Sequence, residues 1–330
     1  MTITAAPPAP ESSGTARPAP ARRPRWGWSQ TVVMVVAILG VGVLAYPSAA
    51  SWMSAWRHDT DVDGYVRSIE NLPAEQGQEL LEEAREYNEH LPAGPLRDPY
   101  ALGADGQQTA VGDGSNAYFD TLDVPGTEAM ARIRIPTIDV DLPIFHGTSD
   151  ATLARGIGHL FGSALPVGGI GTHAVLTGHS GVVEATLFDD IPELVVGDTI
   201  VITVLGEDLY YEVDQTITVL PDETEALRQD PTKDYLSLVT CTPTGVNSHR
   251  LLVRAERVDA PTGDEKETAV VADDSPAAGF PWWILALIAV PVVTFIVIRP
   301  RGTPARRRRP RRAATPAGQD VGGDPRRADD

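Results

Sequence analysis

One cysteine, Cys241, occurs in a chain of 330 residues. With no second cysteine it cannot form an intramolecular disulfide, so it is either a small buried apolar residue or a working thiol. Its neighbours Thr240 and Thr242 are polar, and the run 235–242 alternates so that Ser237, Val239 and Cys241 share one face and Leu236, Leu238 and Thr240 the other. Arg250 opens the next strand-like run, 250–258, after a Pro- and Gly-containing link. A hairpin would set Cys241 at the end of one strand beside Arg250 at the start of the next, and a guanidinium keeps its charge at every relevant pH. Such a charge favours the thiolate, the nucleophilic form. Of seven histidines, His58 and His90 lie in the membrane-proximal stretch and are expected to be solvated, His146, His159 and His173 fit hydrogen-bonded structural positions, and His249 points away from its neighbour Arg250 along an extended chain. His179 differs, because an apolar run delivers it into the turn Gly178-His179-Ser180-Gly181. On residue type alone His179 is structural or a general base. Together with a thiol and a guanidinium it would complete a set suited to acyl transfer through a thioester.

The elements that must bring these residues together are short. Residues 61–91 carry Val66, Ile69, Leu72, Leu80, Leu81 and Ala84 at helical spacing, with Pro73 as an interruption. Residues 92–120 are rich in Gly, Pro, Asn and Asp and read as a long loop, of a length usually reserved for lids and binding loops. From Ala131 the pattern turns to strands: Ile133 and Ile135 alternate with Arg132 and Arg134, a half-buried strand, and 140–145 continues after a turn. Residues 152–160 are expected to form a short helix, 174–179 a strand, and 186–194 a helical turn. The runs 199–205 and 209–220 flank Gly206-Glu207-Asp208 as a hairpin. Many short strands and few helices imply a closed or nearly closed β barrel.

Two segments are too apolar for a soluble domain. Residues 26–56 contain no charge until Arg57, with 31–46 almost wholly aliphatic, and 280–298 are nearly continuous hydrocarbon. Crossing the bilayer core as a helix takes about 20 apolar residues. Arg17, Arg22, Arg23 and Arg25 precede the first segment against Glu11, and ten Arg against four Asp follow the second. Arg-rich flanks stay cytoplasmic, so both termini are expected inside and residues from about 50 to 279 outside. Ser48-Ala49-Ala50 also offers a cleavage site for a signal peptide. The net charge of −18 leaves −27 for the stretch between the two basic flanks. Such acidity excludes nucleic acid as an outer partner, and the basic tail suits anionic lipid headgroups. No metal or cofactor site is expected, since the acidic residues, including Asp189-Asp190 and Asp273-Asp274, are dispersed.

The run Leu238-Val-Thr-Cys-Thr-Pro-Thr-Gly-Val-Asn-Ser-His-Arg-Leu-Leu-Val-Arg resembles the active-site segment of sortases, most closely the class C, pilus-building group. Leu176-Thr-Gly-His is similar to the histidine motif of that family, and Ile135-Pro-Thr-Ile-Asp-Val-Asp-Leu-Pro-Ile-Phe-His-Gly-Thr to its opening strands. The resemblance covers 131–258 and implies a mainly β fold, a closed eight-stranded sortase barrel with an N-terminal helical region and a lid loop, flanked by two transmembrane helices. It implies Cys241 as nucleophile, His179 as general acid and base, and Arg250 as oxyanion or substrate stabiliser, with Thr240 and Thr242 in support. Asp98-Pro99-Tyr100 resembles the lid motif of class C enzymes, in which the aspartate reaches the arginine and the aromatic covers the cysteine. Three departures stand out: Ser237 for a usual Thr, Ser180 for a usual Arg after the histidine, and Tyr100 for a usual Phe or Trp. The implied organisation is a disordered cytoplasmic segment 1–25, a transmembrane helix or signal anchor 26–50, a helical region 51–95, a lid-containing loop 96–125, the catalytic barrel 126–262, a linker 263–278, a C-terminal transmembrane helix 279–298 and a basic cytoplasmic tail 299–330.

The implied reaction cleaves a Leu-Pro-X-Thr-Gly-like sorting signal between Thr and Gly and passes the acyl group to a lysine amine of a pilin subunit. Partners would be pilins or surface proteins bearing such a signal, together with membrane lipid, and no cofactor is implied. Alternatives are a sortase that anchors proteins to the cell wall, a membrane-tethered cysteine peptidase with water as acceptor, and a non-enzymatic two-anchor scaffold.

Overall fold

A computed structural model describes residues 26–91, 96, 98–100, 115–181, 187–261 and 278–299. The expectations for 1–25, for most of the lid loop and linker, and for the basic tail beyond Arg299 lie outside the described residues. The helices are α1 (Trp28–Glu70), α2 (Ala74–Glu89), α3 (Ser115–Asp120), α4 (Asp150–Leu153) and α5 (Trp282–Ile298). The strands are β1 (Ala131–Ile135), β2 (Val140–His146), β3 (Ile157–His159), β4 (Thr172–Thr177), β5 (Thr199–Val204), β6 (Glu207–Val219), β7 (Asp234–Thr242) and β8 (His249–Val258). They close into a barrel in the order β1-β2-β3-β4-β7-β8-β6-β5. The β2–β3 and β4–β7 pairs are parallel and the other pairs are antiparallel.

Two compact units divide the chain, residues 1–37 with 291–330 and residues 38–290. In the first, Trp26 stacks on Phe295 with ring centroids 5.5 Å apart, and the Gln30 amide donates to the Ile298 carbonyl at 2.7 Å. The second holds the barrel. Helix α1 is one unbroken element of 43 residues with Pro47 inside it, so the expected boundary at residue 50 between a membrane segment and a separate helical region is not a structural break. It is the one described helix long and apolar enough to cross a membrane. Helix α5 is as apolar as expected but has 17 residues, short of the usual span. As expected, the chain breaks at Pro73, which cannot continue α1 and precedes α2.

Inside the barrel Ile133, Ile135, Leu142, Ile144, Leu176, Leu236, Leu238 and Val253 form one buried cluster. Strand β1 is buried along its whole length rather than half-buried. Its polar face is neutralised: Arg132 makes a bidentate pair with Asp141 on β2 at 2.7 and 2.6 Å, and Arg134 donates to Asp208 at 3.0 Å and Thr203 at 3.2 Å. The helix expected over 152–160 is only the turn α4, and β3 takes its place. The cause is backbone proximity, since a Cβ on Gly158 would lie 2.4 Å from the Gly147 carbonyl and one on Gly156 2.8 Å from that of Pro143. Two glycines let β3 lie against β2 where side chains could not. The expected turn over 186–194 is a short 3-10 helix, Ile191–Glu193.

The β5–β6 hairpin turns on Leu205 and Gly206, with φ +49° and +85°, as a tight two-residue turn requires. Leu205 is held there by its N–H, which donates to the Tyr65 hydroxyl of α1 at 2.8 Å. Asn88 of α2 exchanges two hydrogen bonds with the backbone of Leu165. Tyr118 of α3, fully buried, bonds His159 at 2.9 Å and accepts from the Gly147 N–H. These ties dock the helices on the barrel, and His159 is the structural histidine its position implied.

Candidate active site

The hairpin β7–β8 brings Cys241 and Arg250 together as direct cross-strand partners. The parallel pairing of β4 with β7 sets Thr177 opposite Val239, so His179 and Cys241 each lie two residues beyond a matched pair. Three contacts fix the His179 turn against β7. The Gly178 N–H donates to the Val239 carbonyl at 3.2 Å, the Thr240 hydroxyl to the Gly178 carbonyl at 2.7 Å, and the Ser180 hydroxyl to the Cys241 carbonyl at 2.8 Å. Gly181 (φ +75°) approaches so closely that a Cβ there would lie 2.1 Å from Thr244 Cγ2. Ser180, which stands where an arginine is usual in the resemblance, thus ties the histidine turn to the backbone of the cysteine. Thr240 is buried with its hydroxyl committed to Gly178, while Thr242 is half-buried at the strand end opposite His249.

The lid residues close over this cluster. Asp98 pairs bidentately with Arg250, Nε and Nη2 each donating at 2.8 Å, and the two side chains are 9% and 10% exposed. Arg250 Nη1 also donates to the carbonyls of Asn247 and His249, both at 3.1 Å. The Tyr100 ring lies 5.0 Å from the Arg250 guanidinium carbon and 5.8 Å, centroid to centroid, from His179. Its hydroxyl donates to the Gly178 carbonyl at 2.6 Å, a bond that Phe at this position could not make. Tyr100 and Leu96 pack on Leu160, Val175, Leu227, Val239 and Leu252, an apolar patch on the outer face of β4, β7 and β8. Thr148 donates to the Pro99 carbonyl at 3.2 Å.

Burial pushes the Cys241 thiol above its usual range, Arg250 draws it down, and Asp98 pushes it up again. Burial lowers His179, opposed by the carboxylate of Asp150. With Asp98 on Arg250, both shifts favour the uncharged forms, the thiol at Cys241 and the neutral imidazole at His179. Chemically the cluster offers a nucleophile, a proton carrier and a fixed cation within one covered site.

Sequence reasoning missed Gly178, whose carbonyl accepts from both Thr240 and Tyr100, and Thr148, which fastens Pro99. Neither carries a signal in the chain, since each acts through contacts of long sequence separation. Ser237, a departure from the usual Thr, bonds the buried ring of His173 at 2.8 Å and so supports the barrel wall rather than the site.

Residues 133–258 match the family described as Sortase domain. Sortase A of Bacillus anthracis is 31% identical over 144 residues, 44% of this chain and 64% of that relative's length, so the curated match spans less than two thirds of it. Among solved structures, sortase C-1 of Actinomyces oris is 46% identical with a TM-score of 0.54, covering 56% of this chain and 99% of that one. Sortase A of Corynebacterium diphtheriae is 45% identical with a TM-score of 0.54, covering 63% of this chain and 97% of that one. With its closed barrel and near-complete coverage of such structures, the chain belongs to the sortase family.

Proposed function

We propose that this chain is a class C sortase that joins pilin subunits through lysine side chains, with Cys241 as nucleophile, His179 as general acid and base, and Arg250 as the cation that stabilises the oxyanion. The observation that carries the reading is the cross-strand pairing of Cys241 with Arg250 beneath Asp98 and Tyr100. For reaction, Asp98, Pro99 and Tyr100 leave the site, and a Leu-Pro-X-Thr-Gly-like signal takes their place. Once the Cys241 thiol has passed its proton to His179, the thiolate attacks the Thr carbonyl, and negative charge grows on that oxygen where Arg250 can meet it. His179 protonates the departing Gly amine as the C–N bond breaks, leaving the acyl chain on sulfur as a thioester. A lysine amine then attacks the thioester carbonyl, gives its proton to His179, and expels the thiolate as an isopeptide bond forms. The outer stretch, at −27, suits approach of a cationic lysine. Anchoring rests on α1, with α5 as the second apolar segment, both termini cytoplasmic and the Arg-rich tail at anionic headgroups.

The test is mass spectrometry of the full chain after incubation with a Leu-Pro-Glu-Thr-Gly peptide, with and without a lysine-bearing acceptor peptide. A mass increase of one acyl chain, absent in Cys241→Ala and discharged onto the acceptor lysine, is expected. Discharge to water alone would favour a hydrolase, and processing by Cys241→Ala would end the enzymatic reading.

A further inference from the structure

Strand β4 carries a buried hydroxyl that the fold leaves unused. Thr177 is 0% exposed, and its Oγ1 has no hydrogen-bond partner among the described residues. Its strand neighbours cannot supply one from their side chains: Gly158 on β3 has none and Val239 on β7 is apolar. Buried hydroxyls are nearly always paired, so a lone one points to a partner that comes and goes. Its position says where that partner would lie. Along β4, Ala174 and Leu176 face the barrel interior, whereas Val175 belongs to the patch covered by Leu96 and Tyr100. Alternation puts Thr177 on the face of Val175, one residue before the carbonyl that accepts the Tyr100 hydroxyl and two before His179. Across the sheet its register partner is two residues before Cys241.

We propose that Thr177 is a substrate-binding residue: when Asp98, Pro99 and Tyr100 leave, its hydroxyl bonds a backbone amide or carbonyl of the acyl-donor peptide that replaces them. This rests on the transpeptidase reading above. The described lid residues answer the apolar patch with Leu96 and the Tyr100 ring but offer Thr177 nothing. An extended peptide carries a donor and an acceptor at every non-proline residue and supplies what the lid lacks. Thr177 therefore favours a bound peptide over the closed lid, where its hydroxyl is desolvated without return.

The experiment compares Thr177→Val, which keeps the shape and removes the hydroxyl, with Thr177→Ser, which keeps the hydroxyl. Both are made in full-length Asp98→Ala protein, whose lid has lost its ion pair. Acylation by the Leu-Pro-Glu-Thr-Gly peptide is followed with melting of the peptide-free protein. Thr177→Val is expected to raise KM about fivefold, as for one lost hydrogen bond, with kcat held. It is also expected to leave the peptide-free Tm unchanged or about 2 °C higher, since no native bond is removed. Thr177→Ser restores KM. A structural hydroxyl would move the other way, with Thr177→Val lowering Tm and leaving KM alone, and that result overturns the proposal. Equal KM in Thr177→Val and its parent also overturns it while leaving the transpeptidase intact. Failure of the parent to form any acyl-enzyme removes the transpeptidase reading, and this one with it.

Discussion

At Cys241 two opposed influences meet on one sulfur. Desolvation raises its pKa, the Arg250 charge lowers it, and Asp98 takes part of that charge away. Because the first is the largest, the resting thiol is protonated at neutral pH and reacts slowly. Alkylation of the full chain by iodoacetamide is therefore expected to increase with pH, with a midpoint above that of an ordinary cysteine, and Cys241→Ala serves as the blank. A midpoint below the ordinary value would mean that Arg250 dominates and that the site rests as a thiolate. His179, lowered by burial, is already neutral at pH 7 and adds no charge to hold a thiolate there.

On the proposed reading, Asp98, Pro99 and Tyr100 form the lid whose energetics decide access. Its main tie is the Asp98–Arg250 pair, shielded from water on both sides, and such pairs are costly to break from one side only. In Asp98→Ala the carboxylate that opposed Arg250 is gone and the thiol is less enclosed. Both changes favour the thiolate, so the alkylation midpoint is expected to fall and the rate at pH 7 to rise about tenfold or more. Tyr100→Phe keeps the ring over Arg250 and deletes only the bond to Gly178. One hydrogen bond is worth about 1 kcal/mol, or roughly a fivefold gain in open lid, readable as a fivefold faster alkylation at fixed pH. An unchanged rate in Tyr100→Phe would show that the hydroxyl bond does not hold the lid.

At the scale of the whole molecule, the site exists because the barrel closes. Strand β1 is bonded on one side to β2 and on the other to β5, and so completes the ring. The bidentate Arg132–Asp141 pair braces that seam with side chains mostly hidden from water. Removing one partner of such a pair typically costs about 3–5 kcal/mol. Asp141→Ala is expected to lower Tm by several degrees while leaving the alkylation midpoint of Cys241 in place, since β1 and β2 contribute none of the three candidate reactive side chains. A loss of reactivity at temperatures where the variant is still folded would mean that the seam and the site are coupled.

The lone cysteine, the histidine turn and the strand-opening arginine were legible in the chain because each is carried by residue type and short spacing, whereas the Asp-Pro-Tyr run stood out only through its resemblance to a lid motif. So were the strand runs β4 to β8 and the break at Pro73, which follow from alternation and from proline's missing N–H. The burial of β1 and the strand β3 were not legible. A charged face reads as solvated until partners such as Asp141 and Asp208, 9 and 74 residues along the chain from their arginines, are seen to neutralise it. The segment 152–160 reads as a short helix until a second backbone is seen to need the space at its glycines. The resemblance implied that Asp98 reaches Arg250 across 152 residues of sequence, and tertiary structure alone decided that Tyr100 reaches the Gly178 carbonyl. It alone left the Thr177 hydroxyl without a partner among the described residues. Contacts of that range depend on how the barrel closes, and local pattern carries no record of it.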